Sequence, residues 1–328
     1  MEFIVQNHSS YPRVGDTERR QRLRRAHAAW ERGDITAADF DAAERAEIAV
    51  ILREQADAGV DVVTDGQVRW DDPVSAVMRA FDGVRLQGLL RYFDTNFYVR
   101  QPVVTGRVRR REAFTVDDFR QASAVSQRPV KVALPGPYTL AQLSVIDAAA
   151  YDGVPALAAA LSEGLAAEVA DLAAAGARLI QIDEPAILAH PADIRLLREL
   201  LEPLWAARGP AQLVVATYFA DAEPLYAQLN SLPADVLALD LSCSPQLLAT
   251  IAATGASKTL ALGLVNGRTA HVESAADIAR QVEMALHRYT LDALHLVPSC
   301  GLEHVPRTTA RAKLHALAEA RRLLTSTP

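Results

Sequence analysis

The residues best placed for chemistry in this sequence are Asp183 and Glu184, adjacent carboxylates directly after the apolar run Ile180-Gln181-Ile182. Burying such a pair is costly unless a cation or hydrogen-bond donors meet it. The pair therefore points to a binding or catalytic site. Similar polar clusters follow other apolar runs. His8-Ser9-Ser10-Tyr11-Pro12-Arg13 follows the first, and Pro12 holds Tyr11 extended so that the serines can present hydroxyl and N–H groups. The segment from Thr64 through Asp65, Gly66, Gln67 and Arg69 to Asp72 follows the second. Leu134-Pro135-Gly136-Pro137-Tyr138 follows the third, a sharp exit that can bring backbone N–H groups to a ligand. Each cluster also has a plain structural reading, such as an ordinary turn at Asp65-Gly66.

The elements that must position these clusters are short apolar strands alternating with Ala/Leu-rich helices, the pattern of parallel βαβ units. Eight strands are expected: Phe3–Gln6, Val60–Thr64, Val130–Leu134, Leu179–Ile182, Leu213–Thr217, Val236–Leu239, Leu260–Val265 and Leu294–Val297. Leu157, Leu161, Leu165, Val169 and Leu172 make one helical stripe. Thr36, with Asp39 three residues on, reads as the cap of a helix running to Gly59. Two architectures fit: an open doubly wound sheet, or a closed (β/α)8 TIM barrel. The barrel is preferred because a polar cluster follows nearly every strand, and barrel chemistry collects on that face. No Gly-x-Gly-x-x-Gly follows a strand, so a dinucleotide fold is unsupported. Residues 1–328 are read as a single barrel domain. An aromatic, partly alternating stretch from Phe81 to Val108 breaks the rhythm, giving a hairpin-like insertion at about 81–115 between strands two and three. It either folds over the barrel mouth or forms a surface excursion.

The 328 residues are 50% hydrophobic, enough for one large core, and carry a net charge of −6. That acidity argues against a nucleic-acid groove, which needs clustered cations. The basic run Arg107 to Arg111 reads as a solvated strand end. No apolar run reaches the roughly 18 residues that span a bilayer, and Met1 to Tyr11 lacks the pattern of a secretory signal. Cys243 and Cys300 cannot build a disulfide framework and are expected to be reduced thiols in a cytoplasmic protein with no membrane partner.

Five phrases in order carry a resemblance. They are Ser9-Ser10-Tyr11-Pro12, Thr64-Asp65-Gly66-Gln67, Gly136-Pro137-Tyr138-Thr139-Leu140, Gln181-Ile182-Asp183-Glu184-Pro185-Ala186 and Pro298-Ser299-Cys300-Gly301-Leu302. Together they resemble the catalytic barrel of cobalamin-independent methionine synthases and their short single-barrel relatives, over nearly the whole chain. The resemblance implies a methyltransferase that moves a methyl group to the thiol of homocysteine. The donor would be methyltetrahydrofolate or methylcobalamin, the latter on a partner corrinoid protein. Ser10 and Asp183 would hold the amino acid end, with Glu184 adjacent. Gln67 falls where the family has an acidic residue, and Arg13 and Tyr218 complete the expected substrate contacts.

The family binds the acceptor sulfur on zinc, which makes a thiolate at neutral pH. Its ligands carry over incompletely. Cys300 and Asp240 match two of them, but Ala216 and Tyr218 stand where the family has His and Cys. Asn266 stands where it has a proton-donating His. Zinc takes three or four N, S or O ligands, so the metal is in doubt, with Cys243, His8 and His304 as the recruits at hand. Two other readings stay open: metal-independent methylation of another small nucleophile, and a non-catalytic amino-acid-binding paralogue.

Overall fold

β-Branched and leucine-rich runs give ten strands in the computed structural model, which describes residues 1–17, 21–289 and 291–326. They are β1 (Glu2–Val5), β2 (Phe81–Arg91), β3 (Tyr98–Arg110), β4 (Val132–Pro135) and β5 (Val145–Ile146), then β6 (Leu179–Asp183), β7 (Gln212–Thr217), β8 (Val236–Asp240), β9 (Thr259–Val265) and β10 (Ala293–Pro298). Seven of them form one all-parallel sheet in the order β1-β10-β9-β8-β7-β6-β4. Segment 60–64 lies between the two ends. Gln6 bridges to Val62 and Val63 to Val130, both parallel. Val62 N–H donates to the Val5 carbonyl, and Lys131 N–H donates to that of Val63. An eighth stave thus closes the barrel.

The strand period of two sorts side chains between two cores. Ile180 and Ile182 face the helices and join the large outer core. Leu179, Val214, Ala216, Val236, Ala238, Ala261 and Val297 pack together inside the barrel. Asp183 shares the parity of Leu179, and Asp240 that of Val236 and Ala238, so both carboxylates point to the barrel axis. The rest of the interior is polar. Lys131 Nζ donates to Gln181 Oε1 at 2.7 Å and to Gln6 Oε1 at 3.3 Å, and Gln6 Nε2 meets His295 Nδ1 at 2.7 Å. Burial lowers Lys131 to about 7 and His295 to about 4.

The helix over Ala37–Asp57 begins with a capping box between Thr36 and Asp39, as the sequence indicated. The 22-residue helix Gly153–Ala174 is long and apolar enough to match a bilayer. Here it belongs to the outer layer: Leu157, Leu161, Leu165, Val169 and Leu172 are buried. From the same helix, the buried Glu168 accepts from Arg110 Nε at 2.8 Å and Thr115 N–H at 2.8 Å. Arg110 is therefore an exception to the solvated reading of the basic run. It lies at the strand end but turns inward to an ion pair.

β2 and β3 pair antiparallel from Phe81–Arg110 to Arg91–Tyr98, and β5 adds a parallel edge to β3. The excursion is a hairpin, and of the two placements the sequence allowed, it covers the mouth. At its tip the Tyr92 hydroxyl is 3.4 Å from that of Tyr218. Tyr92 and Phe93 pack on Phe219, and Phe97 meets His304 edge-on.

Candidate active site

The C-terminal ends of five staves carry the polar side chains expected of the site, and the hairpin meets them at Tyr218. Asp183 is the last residue of β6 and Asp240 the last of β8; Tyr218 follows β7, Asn266 follows β9, and Cys300 lies two residues beyond β10. Ser10 is pinned on either side: it bridges to Gly66, and its carbonyl accepts from Leu302 N–H at 3.2 Å.

Asp183 is buried, and its oxygens take hydrogen bonds from neutral groups: Gln181 Nε2 at 2.7 Å and the Tyr218 hydroxyl at 3.2 Å. Burial pushes its carboxyl up to about 6, against the pull of Gln181, Lys131 and Tyr218. Glu184 is turned elsewhere. Its oxygens accept from Tyr138 N–H at 3.0 Å, Thr139 N–H at 2.8 Å and the Thr139 hydroxyl at 2.7 Å. It therefore caps the short helix Pro137–Gln142. Gly136 makes this possible, since a Cβ there would lie 2.2 Å from Glu184 Oε1.

Ser10, Arg13 and Gln67 line one cleft of about 280 Å³ together with Trp70, Phe97 and Glu303. Arg13 Nη1 donates to the Trp70 carbonyl at 2.8 Å, and Gln67 Nε2 to that of Ala133 at 3.1 Å. Glu303 escaped the sequence reading although it lies three residues beyond Cys300. It accepts from the Ser10 hydroxyl and lies 3.3 Å from His304 Nε2. Burial alone would raise its carboxyl, but His304 and Ser10 hold it below its ordinary value. Its charge acts on Asp183, Tyr218, Tyr92 and Cys300 alike, which ties the cleft to the covered strand ends.

The donor set at the sulfur end does not fit zinc. Ala216 offers no ligand atom, and the Tyr218 hydroxyl faces Asp183. Asp240 Oδ1 accepts from Ser242 N–H and hydroxyl at 2.8 and 2.6 Å, and Oδ2 from Phe219 N–H at 3.2 Å. Cys300 is buried and directs its thiol to the Gly301 carbonyl at 3.4 Å. Burial, with the charges of Glu303 and Asp240, holds that thiol well above its ordinary pKa. Cys243 Sγ accepts from Arg268 Nη2 at 2.9 Å, while His8 Nδ1 pairs with the Ser9 hydroxyl at 3.0 Å. Among the described residues, His, Cys, Asp and Glu form no cluster of three or more fit for a metal. Asn266 Oδ1 accepts from Arg268 N–H at 2.9 Å and so builds a turn.

Residues 9–322 match the family model described as the catalytic domain of cobalamin-independent synthase. The chain belongs to this family. It is 28% identical to the methionine synthase of Saccharolobus solfataricus over 314 residues, 95% of this chain and 93% of that protein. It is also 28% identical to the methionine synthase of Sulfurisphaera tokodaii over 306 residues, 92% and 88% of the two chains. Among solved structures, a B12-independent methionine synthase from Shewanella sp. W3-18-1, in complex with selenomethionine, superposes with a TM-score of 0.80 at 21% identity, over 98% of this chain and 97% of that chain. A methyltransferase from Methanosarcina mazei gives 0.64 at 12% identity, over 98% and 95%. At these identities the likeness shows a shared fold.

Proposed function

We propose that this protein methylates the thiol of homocysteine to give methionine. The observation that carries the reading is Asp183, a buried carboxylate hydrogen-bonded by neutral groups at the end of a barrel strand. The ammonium of an amino acid supplies a cation in direct contact with this carboxylate, where Lys131 acts only from a distance. Ser10, at β1's exit, takes the carboxylate end when its hydroxyl turns from Glu303, and Tyr218 orients Asp183 through its hydroxyl. Arg13 and Gln67 line the adjoining cleft, where the methyl donor docks. Glu184 serves the site indirectly by fixing the exit of β4. In this reading the donor is a methylated folate, as the family's cobalamin-independent description implies. No corrinoid protein is needed.

The test is methionine formation by purified protein from homocysteine, with methyltetrahydrofolate in one arm and methylcobalamin in the other. Labelled methionine in the first arm supports the reading. Labelled methionine only in the second refutes the folate donor, and none in either refutes the transfer.

The pH dependence follows from Asp183. Its ionised form binds the ammonium, and its carboxyl sits at about 6. Homocysteine affinity is therefore expected to be level above that pH and to fall roughly tenfold per unit below it. KM measured from pH 5 to 8 checks this, and a flat profile would remove Asp183 from the ammonium contact.

A further inference from the structure

The sulfur end of the site holds a cation that the sequence reading missed. Arg268 follows β9 on a turn built by Asn266 and Gly267. Asn266 Oδ1 accepts from Arg268 N–H at 2.9 Å, and Gly267 N–H donates to the Ser299 hydroxyl at 3.1 Å. Gly267 lies flat on Cys300: a Cβ there would come within 2.8 Å of the Cys300 sulfur. That close approach carries Arg268 past Cys300. Its guanidinium lies over the Phe219 ring, 5.4 Å from the centre, and Nη2 rests on Cys243 Sγ at 2.9 Å. Arg268 Nε is buried with no hydrogen-bond partner among the described residues. Its charge acts on both cysteines, against Asp240 and Glu303 on Cys300 and against Asp240 on Cys243.

We propose that Arg268 holds the acceptor sulfur as a thiolate where other family members use zinc. This rests on the homocysteine reading above and follows from a donor set that does not fit the metal. A guanidinium presents several N–H donors in a fixed plane and stays charged at any working pH. One of them already rests on a sulfur atom. On binding, the thiol proton passes to solvent. The sulfur lone pair then forms the S–CH3 bond as the methyl–nitrogen bond of the methylfolate breaks; that electron pair stays on nitrogen, which takes a proton from solvent. The other ionisable groups around this spot are Asp240, Glu303, Cys243 and Cys300, with Tyr92, Tyr218 and His304 packed on Phe219, Asp183 beyond Tyr218, and Glu273 on the Asn266 N–H.

The experiment combines metal analysis after zinc loading and dialysis with the ultraviolet thiolate band of bound homocysteine, titrated against pH. Wild type, Arg268→Met and Arg268→Lys are compared, with thermal melts to check folding. The wild type is expected to retain far less than one zinc and to show the thiolate band at neutral pH. In Arg268→Met the pH midpoint of the band should rise by about 1 to 2, with kcat/KM down about 10- to 100-fold. Arg268→Lys should recover part of both. One retained zinc per chain, or an unmoved midpoint in Arg268→Met, overturns the role of Arg268 and leaves the homocysteine reading standing. Absence of homocysteine binding to the wild type ends both.

Discussion

Asp183→Asn is expected to lower kcat/KM for homocysteine by roughly 100-fold or more while leaving the fold as stable as before, or more so. The two effects have one origin. The carboxylate is buried and takes hydrogen bonds only from Gln181 and Tyr218 among the described residues, and burial raises its pKa to about 6. A charge kept in that setting costs the empty protein stability. Asparagine matches its shape without the charge. The substrate ammonium then loses its counter-charge, and truncating one partner of a buried charge pair costs about 2 to 5 kcal/mol. Steady-state kinetics with a thermal melt measures both. A large loss of stability with unchanged kinetics would assign Asp183 to the scaffold.

Glu184→Ala should do the opposite. The substitution leaves Tyr138 N–H, Thr139 N–H and the Thr139 hydroxyl without their acceptor in a buried place. Unsatisfied buried donors cost about 1 to 3 kcal/mol each, so a loss of about 3 kcal/mol or more is expected in denaturant unfolding. The kcat of the protein that remains folded should change only a few-fold. A pH effect accompanies it. Burial raises the folded Glu184 carboxyl to about 7, against an ordinary value of 4.5. Between those values the native state holds a proton that the unfolded chain has released. Stability from this residue therefore falls as pH rises from 4.5 to 7, and the fall should be absent in Glu184→Gln. A collapse of kcat in a stable Glu184→Ala protein would instead place Glu184 in the binding or catalytic site to which the carboxylate pair pointed.

The barrel was legible because strand and helix periods are local properties, and β6 to β10 begin and end within a residue or two of the expected runs. The second stave was legible only as an apolar run, since Val62 and Val63 make isolated bridges in place of a full ladder. The hairpin showed itself by alternation and aromatic content, but its direction is set by Tyr92 meeting Tyr218 and Phe97 meeting His304, pairs far apart in the chain. The carboxylate pair illustrates the limit most clearly. Strand parity sends Asp183 to the axis, whereas Glu184, one residue on, is claimed by a helix end that spacing does not reveal. Glu303 and Arg268 were missed for the same reason. Both lie on loops, and their importance comes from Ser10 and Cys243, residues that only the fold brings near.

The most direct measurement is a crystal structure of the protein with bound homocysteine. The predicted result is the ammonium within hydrogen-bond distance of Asp183, the carboxylate at Ser10, and the sulfur against Arg268. Homocysteine bound away from the strand ends, or bound there with its sulfur turned from Arg268 onto a metal ion, would contradict the account at the barrel mouth or at the sulfur end respectively.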